Sequence, residues 1–402
     1  MSVRYLLIAA FGLAALSASA GDWPQWRGPD RDAKVTGFKA PATWPKELTQ
    51  KWKVTVGDGA ATPALLNDKL YVFSREAGSE LTRCLDATTG QEVWADKYEV
   101  AFRPSADAGF PGPRCSPSVA DGKVVTLGVN GTLSCLEAAS GKKVWRVETK
   151  GFPRFHTSSS PVVVDKLVIA QFGGEQGGGV AAYDLADGTE KWKWTDEGTA
   201  YASPVLLTVD GTRMVVVETD KSVVGLGVKD GKQQWKTPFA IVGRGYNAST
   251  PIVNGQTIIF SGTIRGTRAM KIEKSGDTFV AKETWNNKDN SVIYNSPVLH
   301  GKFVFGLTSN NKLFCINGES GQTAWTADTK GKQGYGSIVD AGPVLVSLTP
   351  AAQLVVYEPS EKEFKELANY KVATTDTYAY PVLDGNRVFV KDKDSVTLWT
   401  IE

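Results

Sequence analysis

The eleven residues 84–94 read CLDATTGQEVW, and the same spacing recurs four more times along the chain. The other copies are CLEAASGKKVW (135–145), AYDLADGTEKW (182–192), GLGVKDGKQQW (225–235) and CINGESGQTAW (315–325). Each copy has a small residue first, Gly seventh and Trp eleventh. The small residue can end one strand, and the Gly allows the left-handed backbone of a tight turn. The Trp can then pack on the returning strand, where it buries on the order of 200 Å².

Each repeat carries a second marker, which is a Ser, Thr or Tyr followed by Pro just before a short β-rich run. The marker prolines are Pro63, Pro117, Pro161, Pro204, Pro251, Pro297 and Pro381. Consecutive prolines lie 43 to 54 residues apart, except for the last interval of 84, which is two units long. We therefore expect that the unit around Ser337 has lost its Pro. Four short strands in each unit of this length are typical of a β-propeller blade.

The two ends of the repeat region complement each other. The final unit, which begins at Pro381, has three strands, whereas residues 50–54 (QKWKV) form a strand that belongs to no unit. The strand around Trp52 is predicted to complete the last blade, because a closed ring leaves no free sheet edge. The sequence thus predicts an all-β fold, an eight-bladed β-propeller of four-stranded antiparallel blades that forms one domain over residues 50–402. The docking tryptophans are predicted to be Trp52, Trp94, Trp145, Trp192, Trp235, Trp285 and Trp325.

Two blades depart from the pattern. In blade 5, Trp285 follows Ala269 by sixteen residues, so an ordinary hairpin at residues 275–277 (SGD) is expected in place of the tight turn. In blade 7, residues 356–366 (VYEPSEKEFKE) contain neither the Gly nor the Trp, and Tyr370 is the candidate substitute for the Trp.

The N-terminus has the pattern of an export signal. Arg4 precedes an apolar stretch over residues 5–16, and residues 18–20 (ASA) supply the small residues that signal peptidase requires. This stretch is too short for a membrane span of about 20 residues. We expect a signal peptide over residues 1–20 that is cut after Ala20, and an irregular tail over residues 21–49. The mature protein is then periplasmic or secreted, and no lipid anchor or transmembrane segment is expected.

Charge and composition exclude several functions. The chain has 45 Lys and Arg against 43 Asp and Glu, a net charge of +2, so binding to nucleic acid is not expected. The chain has two His and no closely spaced Cys pair, so a zinc site is improbable on chemical grounds and no metal ligand is predicted. The four cysteines, Cys84, Cys115, Cys135 and Cys315, fit small buried hydrophobes, but their pairing is open because an exported protein permits disulfides.

The loops before the marker prolines should open on one face of the ring, around the mouth of the central channel. They are rich in Arg, aromatic and amide residues, which supply anchors and planar donors in binding surfaces. The candidate contact residues are Arg114, Arg154, His156, Tyr201, Arg244, Tyr246, Asn247, Tyr294, Asn295, Tyr335 and Tyr378. These residues would bind a protein partner or a small ligand. The alternative is that they hold the loops together and fill the channel entrance. No residue is predicted to be catalytic.

The repeat resembles the tryptophan-docking motif of propellers in the pyrroloquinoline quinone (PQQ) repeat superfamily. Residues 22–29 (DWPQWRGP) are similar to the start of exported bacterial PQQ-like propellers. One branch that the resemblance brings in is BamB, the eight-bladed subunit of the outer-membrane β-barrel assembly machinery. The other is the quinone-dependent alcohol and sugar dehydrogenases, which hold PQQ and a calcium or lanthanide ion over the channel.

The resemblance implies two functions of different classes. Alcohol dehydrogenases of this superfamily have adjacent bonded cysteines beside the quinone, a catalytic Asp and a Glu/Asn pair on the metal, and no segment here matches those motifs. The leading hypothesis is therefore a monomeric, exported, BamB-like binding or scaffolding module without a cofactor. The alternative is a periplasmic oxidoreductase that uses PQQ and calcium. BamB is a lipoprotein, whereas no lipobox Cys follows the apolar stretch of this chain.

Overall fold

The computed structural model describes residues 21–101, 110–149, 151–174, 177–243, 245–329 and 334–402. These residues form 32 strands, grouped into eight four-stranded antiparallel sheets, and contain no helix. Each sheet is one blade, and in blades 1 to 7 the strands follow chain order from the axis outwards. The predicted eight-bladed β-propeller is confirmed.

The first four blades run along the chain in order. Blade 1 consists of β2 (Ala64–Leu66), β3 (Lys69–Glu76), β4 (Ser79–Asp86) and β5 (Glu92–Glu99). Blade 2 consists of β6 (Ser118–Ala120), β7 (Lys123–Leu127), β8 (Thr132–Glu137) and β9 (Lys143–Glu148). Blade 3 consists of β10 (Val162–Val164), β11 (Leu167–Phe172), β12 (Gly179–Asp184) and β13 (Glu190–Trp194). Blade 4 consists of β14 (Val205–Val209), β15 (Thr212–Glu218), β16 (Ser222–Gly227) and β17 (Gln233–Pro238).

The other four blades complete the ring. Blade 5 consists of β18 (Ile252–Asn254), β19 (Thr257–Gly262), β20 (Gly266–Ser275) and β21 (Thr278–Asn287). Blade 6 consists of β22 (Val298–His300), β23 (Phe303–Leu307), β24 (Lys312–Asn317) and β25 (Thr323–Asp328). Blade 7 consists of β26 (Ser337–Asp340), β27 (Leu345–Leu348), β28 (Gln353–Tyr357) and β29 (Glu366–Lys371). Blade 8 consists of β30 (Val382–Asp384), β31 (Arg387–Lys391), β32 (Ser395–Thr400) and, from the N-terminal side, β1 (Thr49–Thr55).

The ring closes as the sequence predicts. Strand β1 pairs antiparallel with β32, from Thr49 opposite Thr400 to Thr55 opposite Ser395, and Trp52 lies opposite Leu398. The last blade therefore gains its outer strand from the other end of the chain, which leaves every blade with four strands.

The repeated Trp and Gly meet at the junctions between blades. A Trp on the outer strand of one blade packs over the hairpin Gly of the next, where a Cβ added at Gly90 would lie 2.8 Å from the Trp52 ring. The pairs are Trp52–Gly90, Trp94–Gly141, Trp145–Gly188, Trp192–Gly231 and Trp285–Gly321. In each pair the indole nitrogen also donates a hydrogen bond of 2.8–3.2 Å to a carbonyl of that hairpin. These glycines have φ between 67° and 76°, so both the turn and the Trp favour a residue without a side chain.

Junctions that lack the Gly are built differently. The long hairpin expected in blade 5 is present, with Ser275 opposite Thr278, and Trp235 packs beside it without a hydrogen-bond acceptor for its indole nitrogen among the described residues. At blade 7, Trp325 donates instead to the Ser360 carbonyl at 2.8 Å.

Tyr370 does not take the missing Trp position of blade 7. Ala368 lies opposite Val356 there, because the loop between β28 and β29 is longer than the repeated turn. Tyr370 lies two residues further along, and its hydroxyl donates to the Pro45 carbonyl at 2.8 Å.

All four cysteines are buried and unpaired, as small core residues are. Three of them, Cys84, Cys135 and Cys315, lie directly opposite a docking Trp. Burial raises the pKa of the Cys115, Cys135 and Cys315 thiols to about 12, so these thiols are unreactive at neutral pH.

Candidate binding face at the channel mouth

The residues before the marker prolines form a ring around the axis. In five of the eight junctions, the backbone N–H of this residue donates to the side-chain oxygen of its counterpart in the next blade, at 2.9–3.3 Å. The donor–acceptor pairs are Ser116–Ser160, Ser160–Ser203, Ser203–Thr250, Thr250–Ser296 and Tyr380–Thr62. This explains why Ser or Thr recurs there. The carbonyls of the inner strands then point into the channel.

The first part of the N-terminal tail (residues 21–35) lies in that channel and contacts all eight blades, and residues 36–48 lead out to β1. Trp23 pairs with Leu65 through two backbone hydrogen bonds of 2.8 Å, and its side chain is fully buried. Along the tail, partners in blades 1 to 8 are Leu65, Val119, Pro161, Pro204, Thr250, Pro297, Asp340 and Tyr380. The tail thus occupies the axis between the Ser/Thr ring and the turns at the far ends of the inner strands.

Two buried arginines hold the tail in place. Arg31 donates to the carbonyls of Pro204 (2.7 Å), Pro161 (3.0 Å) and Ser160 (2.9 Å). Arg27 is fully buried and donates to the Pro297 carbonyl at 2.6 Å and to the Tyr380 hydroxyl at 3.2 Å. Burial and the neighbouring Arg27 lower the pKa of Arg31 to about 9. Sequence reasoning missed this plug, although the two Trp and two Arg within residues 23–31 were a signal that the segment is not a linker.

The opposite side of the ring, where the loops before the marker prolines lie, presents an aromatic arc. Its members are Phe110, Tyr378, Tyr335, Tyr294, Tyr246, Tyr201 and Phe155. Successive rings are in contact, with centroids 4.4–6.2 Å apart. Because these residues come from seven different loops, the arc spans seven of the eight junctions between blades. Five of the tyrosines were candidate contact residues from sequence, and the structure brings them together.

Three rings of the arc are exposed, two in its middle and one at its end. Tyr294 and Tyr335 stack at 4.4 Å with an interplanar angle of 20°, and each is 38% exposed. Phe110, which sequence reasoning missed, is 44% exposed and meets Tyr378 edge to face at 5.3 Å. These exposed rings offer flat apolar surfaces at the channel mouth.

Three other candidates lie beneath the arc and fix its loops. The amide of buried Asn247 donates to the Thr219 carbonyl at 2.7 Å, and that of Asn295 donates to the Leu307 carbonyl at 2.7 Å. His156 is fully buried and stacks on Phe152, with ring centroids 4.9 Å apart. These side chains hold loops together, as the alternative interpretation of the sequence states.

The candidate arginines differ in their surroundings. Arg154 is exposed, with its guanidinium 5.4 Å from the Phe155 ring centroid. Arg114 is half-buried and donates to the Phe110 carbonyl at 3.0 Å. Arg244 lies outside the described residues.

A pocket of about 380 Å³ opens at the Phe110 end of the arc. Its charged lining residues are Asp58, Asp376, Asp392, Arg114 and Lys393. Beneath it, the buried ammonium of Lys391 donates to the carbonyls of Gly57, Gly59, Asp392 and Lys393 at 2.7–3.3 Å. Burial lowers the pKa of Lys391 to about 8.

Lys391 has counterparts at the same place in other blades. In each of these blades, the residue that follows the marker Pro pairs with a residue of the second strand. Lys391, Gln171 and Glu218 each lie two residues after that second-strand residue. The Gln171 amide donates to the Ala202 carbonyl at 2.8 Å and accepts from the Ala200 N–H at 3.2 Å, so it ties the loop before the next blade. Glu218 is fully buried, and neither carboxylate oxygen has a hydrogen-bond partner among the described residues.

Within the described part of the chain, no three His, Cys, Asp or Glu residues lie close enough together to hold a metal ion. No helix of sufficient length and hydrophobicity to span a bilayer occurs in the same residues.

Comparison with known proteins points to one family, and the relatives include BamB proteins and alcohol dehydrogenases. The family model described as "Outer membrane protein assembly factor BamB" matches residues 77–327. The protein of that name from Xanthomonas campestris is 28% identical over 240 residues, which is 57% of this chain and 58% of the relative. Quinohemoprotein alcohol dehydrogenase from Comamonas testosteroni is 32% identical over 148 residues, or 33% of this chain and 19% of the relative. The chain thus spans little more than half of its BamB relative.

Solved structures of both kinds share the fold. BamB from Moraxella catarrhalis has a TM-score of 0.66 at 15% identity, over 88% of this chain and 99% of that one. Quinohemoprotein alcohol dehydrogenase from Comamonas testosteroni has a TM-score of 0.70 at 16% identity, over 96% and 81%. At these identities the likeness concerns the fold alone.

Proposed function

Because the chain belongs to the family described as outer membrane protein assembly factor BamB, we propose that it is an exported propeller scaffold that binds a protein partner at the channel mouth. The observation that carries this proposal is the aromatic arc, in which rings from seven loops meet on one face. We further propose that residues 1–20 are removed on export and that the protein works in the periplasm or outside the cell.

The arc has the chemistry of a protein-binding surface. Tyrosine is enriched in interfaces because its ring buries a large apolar area while its hydroxyl keeps a hydrogen-bonding group. Tyr294 and Tyr335 are stacked before any partner binds, and the buried amide of Asn295 holds their loops through the carbonyls of Leu307 and Gly334. A surface that is already ordered loses little conformational entropy on binding.

The shape of the face favours an extended segment of a protein partner as the occupant. The arc is a curved row of rings rather than a deep cavity, and the tail closes the channel behind it, so a partner would lie across the mouth. Flat rings of this kind accept proline, aromatic and aliphatic side chains. The pocket beside Phe110, with charges of both signs, would receive a polar side chain at one end of the segment.

Site-specific photo-crosslinking in the native envelope tests the proposal. A photoreactive amino acid placed at Tyr335 should cross-link an outer-membrane assembly component, and the same probe at Val93 should not. Val93 is the matched control because it is 49% exposed but lies on an outer strand, away from the mouth. The additional substitution Tyr294→Ala should weaken the product at position 335. Equal cross-linking at positions 335 and 93 would contradict a partner site on the arc.

A quinone-dependent oxidoreductase is the second candidate, because the sequence matches quinohemoprotein alcohol dehydrogenases over a third of the chain. The described residues do not fit the PQQ and calcium pair. Arg27 and Arg31 fill the axis and bind its carbonyls, and among the described residues the carboxylates at the mouth do not come together as a set that could hold a metal ion. We therefore propose no cofactor. Saturable PQQ uptake with calcium, together with dye-linked oxidation of an alcohol or a sugar, would overturn the scaffold proposal.

A further inference from the structure

Gly21, the residue that follows the predicted cleavage site, is buried against a carboxylate. A Cβ added at Gly21 would collide with the side chain of Asp384, whose Cγ would lie 2.5 Å away. The φ angle of Gly21 is 106°, which side-chain-bearing residues rarely adopt. The contact with Asp384 therefore requires glycine at this position.

The Asp384 carboxylate has one oxygen engaged and one available. Its Oδ2 accepts hydrogen bonds from the Arg387 guanidinium, including one of 3.0 Å from Nε. Arg387 also donates to Asp68 at 2.7 Å, so one guanidinium serves two carboxylates. No hydrogen bond reaches Oδ1 of Asp384 within the described ranges. A second cation beside Asp384 would balance these charges.

We propose that Asp384 is a recognition site for the α-ammonium group that forms on Gly21 when the leader is removed. Hydrolysis of the Ala20–Gly21 bond consumes one water and leaves a carboxylate on Ala20 and an ammonium on Gly21. Substituents on one tetrahedral carbon lie roughly 2.5 Å apart, so the Gly21 nitrogen lies within roughly 5 Å of Asp384 Cγ. A small adjustment of the carboxyl group brings Oδ1 into contact with the ammonium.

The next residues of the tail hold the new terminus in place. Asp22 accepts a hydrogen bond from the Asn67 N–H at 3.1 Å, and Trp23 is fixed by its two backbone bonds to Leu65. These contacts keep Gly21 beside Asp384. In this way the cut end of the chain strengthens the tail that fills the channel. The proposal rests on cleavage after Ala20 and is independent of what the mouth binds.

A double-mutant cycle on purified protein tests this recognition. One protein begins at Gly21, released from a fusion whose protease leaves no residue, and the other retains Ala20, which moves the ammonium one residue away. Retention of Ala20 should lower the melting temperature by about 2 °C when Asp384 is present and should have no effect in the Asp384→Asn variant. The control, Asp121→Asn, breaks the exposed ion pair with Lys166 and should leave the effect of Ala20 unchanged.

Two results would overturn the proposal: equal melting temperatures of the two proteins, or the same shift with and without Asp384. If the Asp384→Asn variant does not fold, the protein that begins at Gly21 is instead compared with its Nα-acetylated form. Acetylation should lower the melting temperature as retention of Ala20 does, and an unchanged value would refute the ammonium contact. Cross-linking at the mouth reports on the scaffold function separately, so the two proposals can fail independently.

Discussion

Glu218 should make the stability of this protein fall as the pH rises. Its side chain is fully buried, and neither carboxylate oxygen has a hydrogen-bond partner among the described residues. Burial raises the pKa of this carboxyl well above its ordinary value of 4.5, and the opposing charge of Arg265 does not offset the effect. The Arg265 guanidinium is engaged elsewhere, with the Asn247 side chain at 2.6 Å and the Phe239 carbonyl at 2.8 Å.

The sign and size of the effect follow from proton linkage. A carboxyl whose pKa is raised on folding contributes its full stability below the unfolded pKa, here 4.5, and loses it as the pH rises towards the folded pKa. Each pH unit in that window costs about 1.4 kcal/mol, because the unfolded chain releases a proton that the folded chain keeps. Near pH 4.5 the unfolded carboxyl is half ionised, so the slope there is about half of this value and reaches the full value about one pH unit higher.

Glu218→Gln should remove this loss of stability, and blade 3 already has a glutamine at the equivalent position. Gln171 occupies the same place in blade 3, where its amide ties the loop before the next blade. The free energy of unfolding, measured by urea denaturation between pH 4.5 and 7.5, should decline more steeply in the parent protein than in Glu218→Gln. The reverse change, Gln171→Glu, should add a second decline of the same slope. If the parent and Glu218→Gln have parallel pH profiles, Glu218 is not protonated in the folded protein and the reasoning is wrong.

Three further substitutions have matched controls or clear signs. Gly141→Ala should lower the free energy of unfolding by about 3 kcal/mol or more, because its Cβ would overlap a docking indole. The control Gly122→Ala has the same φ of 70° but open space around the new Cβ, so it should lower the free energy of unfolding by only about 1 kcal/mol. Thermal melts of the two variants separate the loss of Trp docking from the strain of the turn. Arg31→Gln should lower the free energy of unfolding by about 3–5 kcal/mol in urea titrations, because three buried carbonyls lose their donor, and an unchanged midpoint would argue against the plug. Trp145→Phe should cost about 1 kcal/mol more than Trp235→Phe in the same assay, because only the first removes an indole hydrogen bond; equal losses would contradict this.

The sequence was sufficient to predict the eight-bladed ring, because most blades meet the same physical requirements with the same residues at the same spacing. The Trp, the Gly at the seventh position of the motif and the Ser or Thr before Pro each serve one contact that recurs at most junctions between blades. For the Ser/Thr ring, the sequence shows the recurring Ser or Thr, but the role of these residues follows only from their hydrogen bonds. Blade 7 shows the limit of such reasoning, because a longer loop shifts the register and places Ala368 where the repeat has Trp.

The tail could not be predicted for the opposite reason. Arg27 and Arg31 bind backbone carbonyls, which every residue possesses, so no partner pattern elsewhere in the sequence marks the contact. The residues of the channel mouth were predicted in part. Loop position was enough to bring the tyrosines together, but exposure depends on packing, and sequence could not separate the exposed ring of Tyr335 from the buried amide of Asn247.

The plug and the closure of the ring belong to one segment, and this couples them. Residues 21–35 fill the axis, and residues 36–48 then lead out to β1, which completes blade 8 beside β32 near the other end of the sequence. Tail contacts with all eight blades can form only when the blades are assembled, since the carbonyls that bind Arg31 come from two of them. Closure of the last blade, in turn, holds the tail at the axis. The two events therefore stabilise each other, and the tail fills the end of the channel that lies opposite the aromatic arc.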